Sequence, residues 1–295
     1  MDSSIIDIRN LSKYYGKSRG IEEVNLEISE GDIFGFIGPN GAGKSTTIRI
    51  LLSLIFPTSG SAKILGMDVI KEAKKIKSQI GYIPSDASLY NKMDVYEFLS
   101  YCIRFYQTKN GEDRIRELSE LFELDLNRKI AELSMGNKKK VSIIQSLSHS
   151  PKLLILDEPT TGLDPLMQAK FFEVLREENK KGMTIFFSSH ILSEVQTLCK
   201  RVAIIKEGRI INVENIATLR KKQLKKVRID FGEGIFTEAL GIKGIETTLA
   251  STDHILSFMY SGEINNLIGT LSKRKIDNLM IEEPTLEEIF MHYYK

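Results

Sequence analysis

Val24, Leu26 and Ile28 alternate with polar neighbours, the period of a strand with one buried face. Asp32-Ile-Phe-Gly-Phe-Ile-Gly38 is instead a short continuous apolar run closed by glycine. Similar runs stand at Leu153-Leu-Ile-Leu-Asp157, Thr184-Ile-Phe-Phe-Ser188 and Val202-Ala-Ile-Ile-Lys206. Runs that are apolar on both faces suit parallel strands covered from two sides, so the pattern predicts an α/β sheet. Between Ser85 and Ser150 the period becomes helical. Asp94 followed by Glu97 makes a capping-box start for a helix carrying Val95, Phe98, Leu99 and Ile103, and Glu112 to Phe122 continues at the same spacing. Past about Thr218 the texture changes again. A basic connector, Arg220-Lys-Lys-Gln-Leu-Lys-Lys-Val227, precedes a short strand-like piece, Val227-Arg-Ile-Asp-Phe231, and a last helix with a capping-box start at Thr285 and Glu288. The expected organisation is a main α/β unit over 1–218 containing a helical subdomain at 85–150, then a small α+β companion over 219–295. The basic connector reads as a solvated helix face, with contact to acidic lipid head groups as the second reading.

Composition narrows the partners. The chain has 295 residues, 42% hydrophobic and 27% charged, with 41 Lys and Arg against 39 Asp and Glu. A net charge of +2 offers no basic face for bulk nucleic acid, so none is expected as a partner. Cys102 and Cys199 are far apart among apolar or helical neighbours and read as small core residues rather than a disulfide pair. The N-terminus carries acid where a signal peptide carries Lys or Arg. No stretch reaches the roughly 18 consecutive apolar residues of a membrane span, and the greasiest, Ile48 to Phe56, contains Arg49. By this reading the chain is cytoplasmic and soluble, and meets membranes only through another chain.

Gly38-Pro-Asn-Gly-Ala-Gly-Lys-Ser45 matches G-x-x-x-x-G-K-[ST] and lies between an apolar strand and the helical run Thr46-Thr-Ile-Arg-Ile-Leu-Leu-Ser53. Glycines let such a loop curl so that backbone N–H groups face phosphate oxygens, while the helix presents its positive end. Lys44 is expected to reach the β- and γ-phosphates, and the Ser45 hydroxyl to ligate Mg²⁺. The motif says nucleotide triphosphate without choosing among kinase, GTPase and transport ATPase.

The run Leu153 to Leu156 leads into Asp157-Glu158-Pro159. A carboxylate at the C-terminal end of a buried strand sits where α/β sheets bind ligands, so Asp157 is a candidate Mg²⁺ ligand. Glu158 is then placed to activate a water at the γ-phosphate, which means hydrolysis rather than transfer to another hydroxyl. Ser188-Ser-His190 follows another strand in the same way, and an imidazole there can hydrogen-bond the phosphate or the water.

Taken in order, the loop Gly38 to Ser45, Leu133-Ser-Met-Gly-Asn137, Asp157-Glu158, Gly162-Leu163-Asp164 and His190 resemble the nucleotide-binding subunit of an ABC transporter over roughly residues 5 to 215. The resemblance implies a P-loop NTPase ABC cassette: a mostly parallel sheet core, an N-terminal antiparallel β part and a helical subdomain. It implies ATP and Mg²⁺ as cofactors. Gly38, Pro39, Asn40, Gly41, Ala42, Gly43, Lys44, Ser45 and Thr46 would bind ATP, and Tyr15 would stack on adenine. Ser45 and Asp157 would hold the metal, and Glu158 and His190 would be catalytic. Leu-Ser-Met-Gly-Asn stands where the family signature is Leu-Ser-Gly-Gly-Gln. Its Ser134, Met135, Gly136 and Asn137 open the helical run Lys138-Lys-Lys-Val-Ser-Ile-Ile-Gln145 and would meet the γ-phosphate held by a second ATP-binding subunit, the same chain or a paralogue, in a head-to-tail dimer. Asp164 would belong to the interface-crossing D-loop. The basic run Lys138-Lys-Lys140 matches basic positions of the family.

Two departures stand out. The signature has Met135 and Asn137 where the family has Gly and Gln. Gly81-Tyr-Ile-Pro84 leads into Ser85-Asp86 where the family has a glutamine that contacts Mg²⁺ and water and links the site to the membrane subunit. Serine is shorter, so hydrolysis is expected to be slower or more dependent on the partner, with Asp86 substituting only if the loop shifts. Glu282-Glu-Pro-Thr-Leu-Glu-Glu-Ile-Phe290 resembles the closing helix of ATP-binding subunits of ABC-2-type bacterial exporters. The implied function is an ATPase on the inner face of the cell membrane that drives export by a separate permease, of peptides, antibiotics or other amphipathic molecules. The alternative is a soluble ABC-family ATPase acting on ribosomes or chromosomes.

Overall fold

A computed structural model describes residues 4–86, 88–106, 108–217, 225–232, 242–252, 254–272, 274–282 and 284. The chain divides into two compact units, Met1–Ile216 and Ala217–Lys295. In the first, Ser4–Tyr15 (β1) and Ser18–Ser29 (β2) pair antiparallel and bury Ile6, Ile8, Leu11, Val24, Leu26 and Ile28, the alternation visible in the sequence. Ile33–Ile37 (β3) is buried at every position and feeds a loop into Lys44–Leu51 (α1). That helix begins at Lys44 rather than Thr46 because Gly43, at φ +111°, turns the chain in the left-handed region and acts as its N-cap. Ser59–Ile64 (β4) and Met67–Asp68 (β5) complete an antiparallel sheet of order β2-β1-β4-β5.

A short helix, Ala73–Lys77 (α2), leads to Ile80–Ile83 (β6), after which the helical insert begins. Val95–Ile103 (α3) starts with the capping box read from the sequence: Asp94 Oδ1 accepts from Glu97 N at 2.7 Å, and Glu97 Oε2 accepts from Asp94 N at 3.2 Å. Gly111–Leu121 (α4) follows, then Met135–Leu147 (α5). The last begins at Met135, ahead of Lys138, because the Ser134 hydroxyl caps it and accepts from Asn137 N at 3.3 Å. The chain returns to the sheet with Leu153–Asp157 (β7), Pro165–Lys180 (α6), Thr184–Ser189 (β8), Leu192–Leu198 (α7), Arg201–Lys206 (β9) and Arg209–Asn215 (β10).

The main sheet has the order β10-β9-β3-β8-β7-β6, parallel throughout except for the β10 edge. Phe34, Phe36 and Phe186 pack within it, with ring centroids 6.4 and 5.4 Å apart. The C-terminal ends of β3, β8, β7 and β6 thus lie side by side on one rim, the ligand side of such sheets. The helical insert is pinned to this unit by Arg114 of α4, which bonds the carboxylate of Glu178 on α6; Lys181 meets the same oxygen at 2.9 Å.

The second unit is an antiparallel sheet of order β12-β13-β11-β14, built from Lys225–Asp230 (β11), Ile245–Ser251 (β12), Ile255–Tyr260 (β13) and Asn278–Glu282 (β14). Ile264–Leu271 (α8) adds Leu267 and Leu271 to a core of Val227, Ile229, Phe258 and Tyr260. The helix read at Thr285 and Glu288 lies outside the described residues, as does most of the basic connector. Both cysteines are free thiols. Burial raises the Cys102 pKa to about 11 and pushes that of Cys199 well above the ordinary thiol range, which keeps both in the unreactive thiol form. Among the described residues no helix is long and apolar enough to cross a membrane.

Candidate active site

The phosphate loop leaves β3 at Gly38, and sterics dictate that residue: a Cβ there would stand 2.2 Å from the Ile205 carbonyl oxygen. Gly208 N donates to the Ala42 carbonyl at 2.8 Å, fixing the loop to the turn between β9 and β10. Pro39, Asn40 and Gly41 are exposed, whereas Ser45 and Thr46 are half-buried at the start of α1. Lys44 is 5% exposed, and its ammonium turns back into the loop, donating to Gly38 O at 2.7 Å and Pro39 O at 3.2 Å. The Tyr15 ring lies beside Gly20, where an added Cβ would stand 2.9 Å from Tyr15 Cε2 and 3.2 Å from Thr46 Cγ2, so an exposed aromatic face borders the beginning of α1.

At the end of β7, Asp157 is buried and accepts from Ser188 Oγ at 3.1 Å. Burial pushes its carboxyl above the usual carboxylate range, although hydrogen bonds from Ser45 and Ser188 and the Lys44 charge act the other way. Glu158 adopts φ +49°, and its N–H donates to the Ser188 carbonyl at 3.1 Å, a bond that holds this turned backbone against β8. Its Oε1 lies 3.4 Å from Lys44 Nζ and 3.2 Å from His190 Nδ1. Phosphate loop, acid pair and histidine, separated along the chain, therefore converge on one carboxylate oxygen.

A buried glutamate braces this convergence. Glu194 of α7 accepts from Thr160 Oγ1 and from Ser189 Oγ, both at 2.6 Å, tying the segment after the acid pair to the residue before His190. On the opposite side, Lys139 of α5 donates from Nζ to Pro84 O at 3.0 Å and Ser85 O at 2.8 Å. Sequence reasoning singled out none of Ser188, Glu194 and Lys139. Helical spacing does not separate Lys139 from Lys140, which stands three, four and seven residues before Ile143, Ile144 and Leu147, so the pattern carried no signal for it.

The signature residues stand apart from the phosphate loop. Among the described residues no hydrogen bond or ion pair joins Ser134, Met135, Gly136 or Asn137 to residues 38–46. They meet Gly162-Leu163-Asp164 instead. A Cβ on Gly162 would stand 2.8 Å from Met135 Cε, and one on Gly136 would stand 2.9 Å from the Gly162 carbonyl oxygen. Asp164 caps α6, its Oδ1 accepting from Met167 N at 2.9 Å.

The ABC transporter family model matches residues 21–161. The bacitracin transport ATP-binding protein BcrA of Bacillus licheniformis is 37% identical, with 78% of this chain and 76% of that protein covered. The linearmycin resistance ATP-binding protein LnrL of Bacillus subtilis (strain 168) is 30% identical over 98% and 97% of the two chains. Among solved structures, the ATP binding subunit of an ABC transporter superposes with a TM-score of 0.70 at 31% identity, covering 74% of this chain and 92% of that one. The dimeric, post-hydrolysis ATP-binding cassette MJ0796 bound to ADP and Pi superposes with a TM-score of 0.66 at 26% identity, covering 72% and 98%. These relatives favour transport over a soluble role on ribosomes or chromosomes. The chain belongs to the ABC transporters, as the ATP-binding subunit that hydrolyses ATP to drive transport.

Proposed function

We propose that ATP binds along residues 38–46, with adenine on Tyr15 and its phosphates at the start of α1, and that Glu158 is the general base of hydrolysis. One observation carries this reading: Glu158 Oε1 is held between Lys44 Nζ and His190 Nδ1 at the C-terminal rim of the parallel sheet. With Oε1 so engaged, Oε2 is left to take the proton of the attacking water, and His190 steadies that water or the γ-phosphate. Lys44 exchanges its carbonyl partners, Gly38 and Pro39, for phosphate oxygens, replacing neutral hydrogen bonds with charge-assisted ones.

Ser45 and Asp157 form a hydrogen-bonded pair of hard oxygen donors, which fits Mg²⁺. Among the described residues no group of three His, Cys, Asp or Glu side chains could hold a metal ion, so substrate phosphates and water would complete the shell. The ion would neutralise phosphate charge there.

Ser134, exposed at the N-terminus of α5, is free to donate its hydroxyl proton while it accepts from Asn137, and is suited to a phosphate on a second ATP-binding subunit. Dimeric structures of similar cassettes support this arrangement. Asp164 and Gly162, in contact with the signature residues, would face the same interface.

The membrane partner is a separate permease, docked where the Ser85 loop meets the helical insert. Tyr90, Tyr101 and Phe105 are all exposed there and stack edge-to-face in a ladder. The relatives, named for bacitracin transport and linearmycin resistance, support export of amphipathic antibiotics or peptides from the inner face of the membrane. Co-purification from membranes with the permease, followed by ATPase assay with and without it, tests the whole reading. Stimulation by the permease is expected; an ATPase indifferent to it, on a chain that never sediments with membranes, would sink the reading.

A further inference from the structure

Lys139 is the middle lysine of Lys138-Lys-Lys140 and the one withdrawn from water, 4% exposed. Taking an ammonium out of water costs several kcal/mol unless acceptors and counter-charge surround it. Both are present. The carbonyls of Pro84 and Ser85 accept its hydrogen bonds at 3.0 and 2.8 Å, and Asp86, Asp157 and Glu158 act on it with opposite charge. Burial still lowers its pKa, the largest influence on the group, with those three carboxylates acting against it. One side chain therefore ties α5, which Ser134 opens, to the loop after β6, which carries Ser85, and β6 runs beside β7, whose end carries the acid pair.

An apolar side chain of similar length would fill this space at no desolvation cost, so packing alone does not call for lysine. What the ammonium adds is direction and charge. Its two bonds fix the Ser85 peptide to α5, and its field reaches the two carboxylates on which hydrolysis depends.

We propose that Lys139 is a positioning residue for ATP hydrolysis, coupling α5 to the acid pair through the Pro84 and Ser85 carbonyls and through its own charge. When Ser134 engages a phosphate on the second subunit, any shift of α5 carries the Ser85 loop with it and moves the ammonium relative to Asp157 and Glu158. This inference rests on the reading of Glu158 as general base.

The test uses the full chain with Lys139→Met, Lys139→Arg, Glu158→Gln and the double variant Lys139→Met/Glu158→Gln. ATP affinity is measured by equilibrium binding, thermal unfolding is followed in parallel, and kcat is measured with the permease present. In Lys139→Met, kcat is expected to fall at least 10-fold while the Kd for ATP and the KM stay within 2-fold. Lys139→Arg, which keeps charge and donors, is expected to restore kcat to within 3-fold of wild type. Because both changes act on one step, Lys139→Met should add nothing to the loss caused by Glu158→Gln. An unchanged kcat in Lys139→Met overturns the proposal. So does a loss of kcat that comes with equal losses of affinity and unfolding temperature, or that adds in full to Glu158→Gln, since a structural lysine gives those results. If Glu158→Gln itself turns over at the wild-type rate, the general-base reading fails instead, and the Lys139 single variants report that failure separately.

Discussion

His190 Nδ1 stands 3.2 Å from Glu158 Oε1, across the ends of two neighbouring parallel strands that are far apart in sequence. The pairing sets the glutamate apart from its neighbour, because Asp157 is buried and hydrogen-bonded to Ser188 whereas Glu158 is half-buried and meets Lys44 and His190.

Glu158→Gln keeps the shape and loses the proton acceptor. A fall in kcat of about 10²–10⁴ is expected, the range that general-base catalysis supplies, with ATP binding intact. In size-exclusion chromatography with ATP the variant should run as a stable dimer; hydrolysis at the wild-type rate would show that another group accepts the proton.

Lys44→Ala acts on binding. Removing a buried ammonium that is to exchange carbonyls for phosphate oxygens costs about 1.5–3 kcal/mol for each charged hydrogen bond lost, or roughly 10- to 150-fold in ATP affinity per bond. Titration with a fluorescent nucleotide measures this directly, and an unchanged Kd contradicts the assignment.

Glu178→Ala is expected to destabilise the first unit by about 3 kcal/mol, because it takes the buried partner from Arg114 and unpins α4 from α6. Urea unfolding gives the value. A loss below about 1 kcal/mol would mean that Glu117, the other partner of Arg114, suffices alone.

His149 supplies a pH dependence. Its ring stacks on Tyr106 at 3.7 Å and is bonded to the Ile80 carbonyl, and burial holds its pKa below the ordinary 6.5 against the pull of the Ile80 and Gln145 carbonyls. Between the lowered folded value and 6.5 the unfolded chain binds more protons than the folded one. Stability that is present above about pH 6.5 is therefore lost as the pH falls toward the folded value. The drop in unfolding temperature between pH 7.5 and 5.5 should be smaller in His149→Gln than in wild type, and equal drops would place the acid sensitivity elsewhere.

The parallel strands were legible because burial on both faces leaves continuous apolar runs such as Leu153 to Leu156, and α3 because Asp94 and Glu97 announce it. Two helix starts were read late, since a periodicity count sees apolar faces and misses the caps at Gly43 and Ser134. Strand β4 left little pattern, burying only Ala62 and Ile64. Within the site, the phosphate loop and acid pair are local motifs and could be read directly. Lys139 and Glu194 work through partners distant in the chain, and a lysine or glutamate on a helix looks the same in sequence whether it meets water or a buried acceptor.

The carboxylate of Glu194 has a mechanical side. Its two oxygens clamp Thr160 and Ser189, so a displacement at the acid-pair turn reaches the histidine turn across two short bonds rather than along the helix and strand between them. As long as both bonds hold, the two turns move as one piece, and the travel of a working stroke falls to elements outside the clamp.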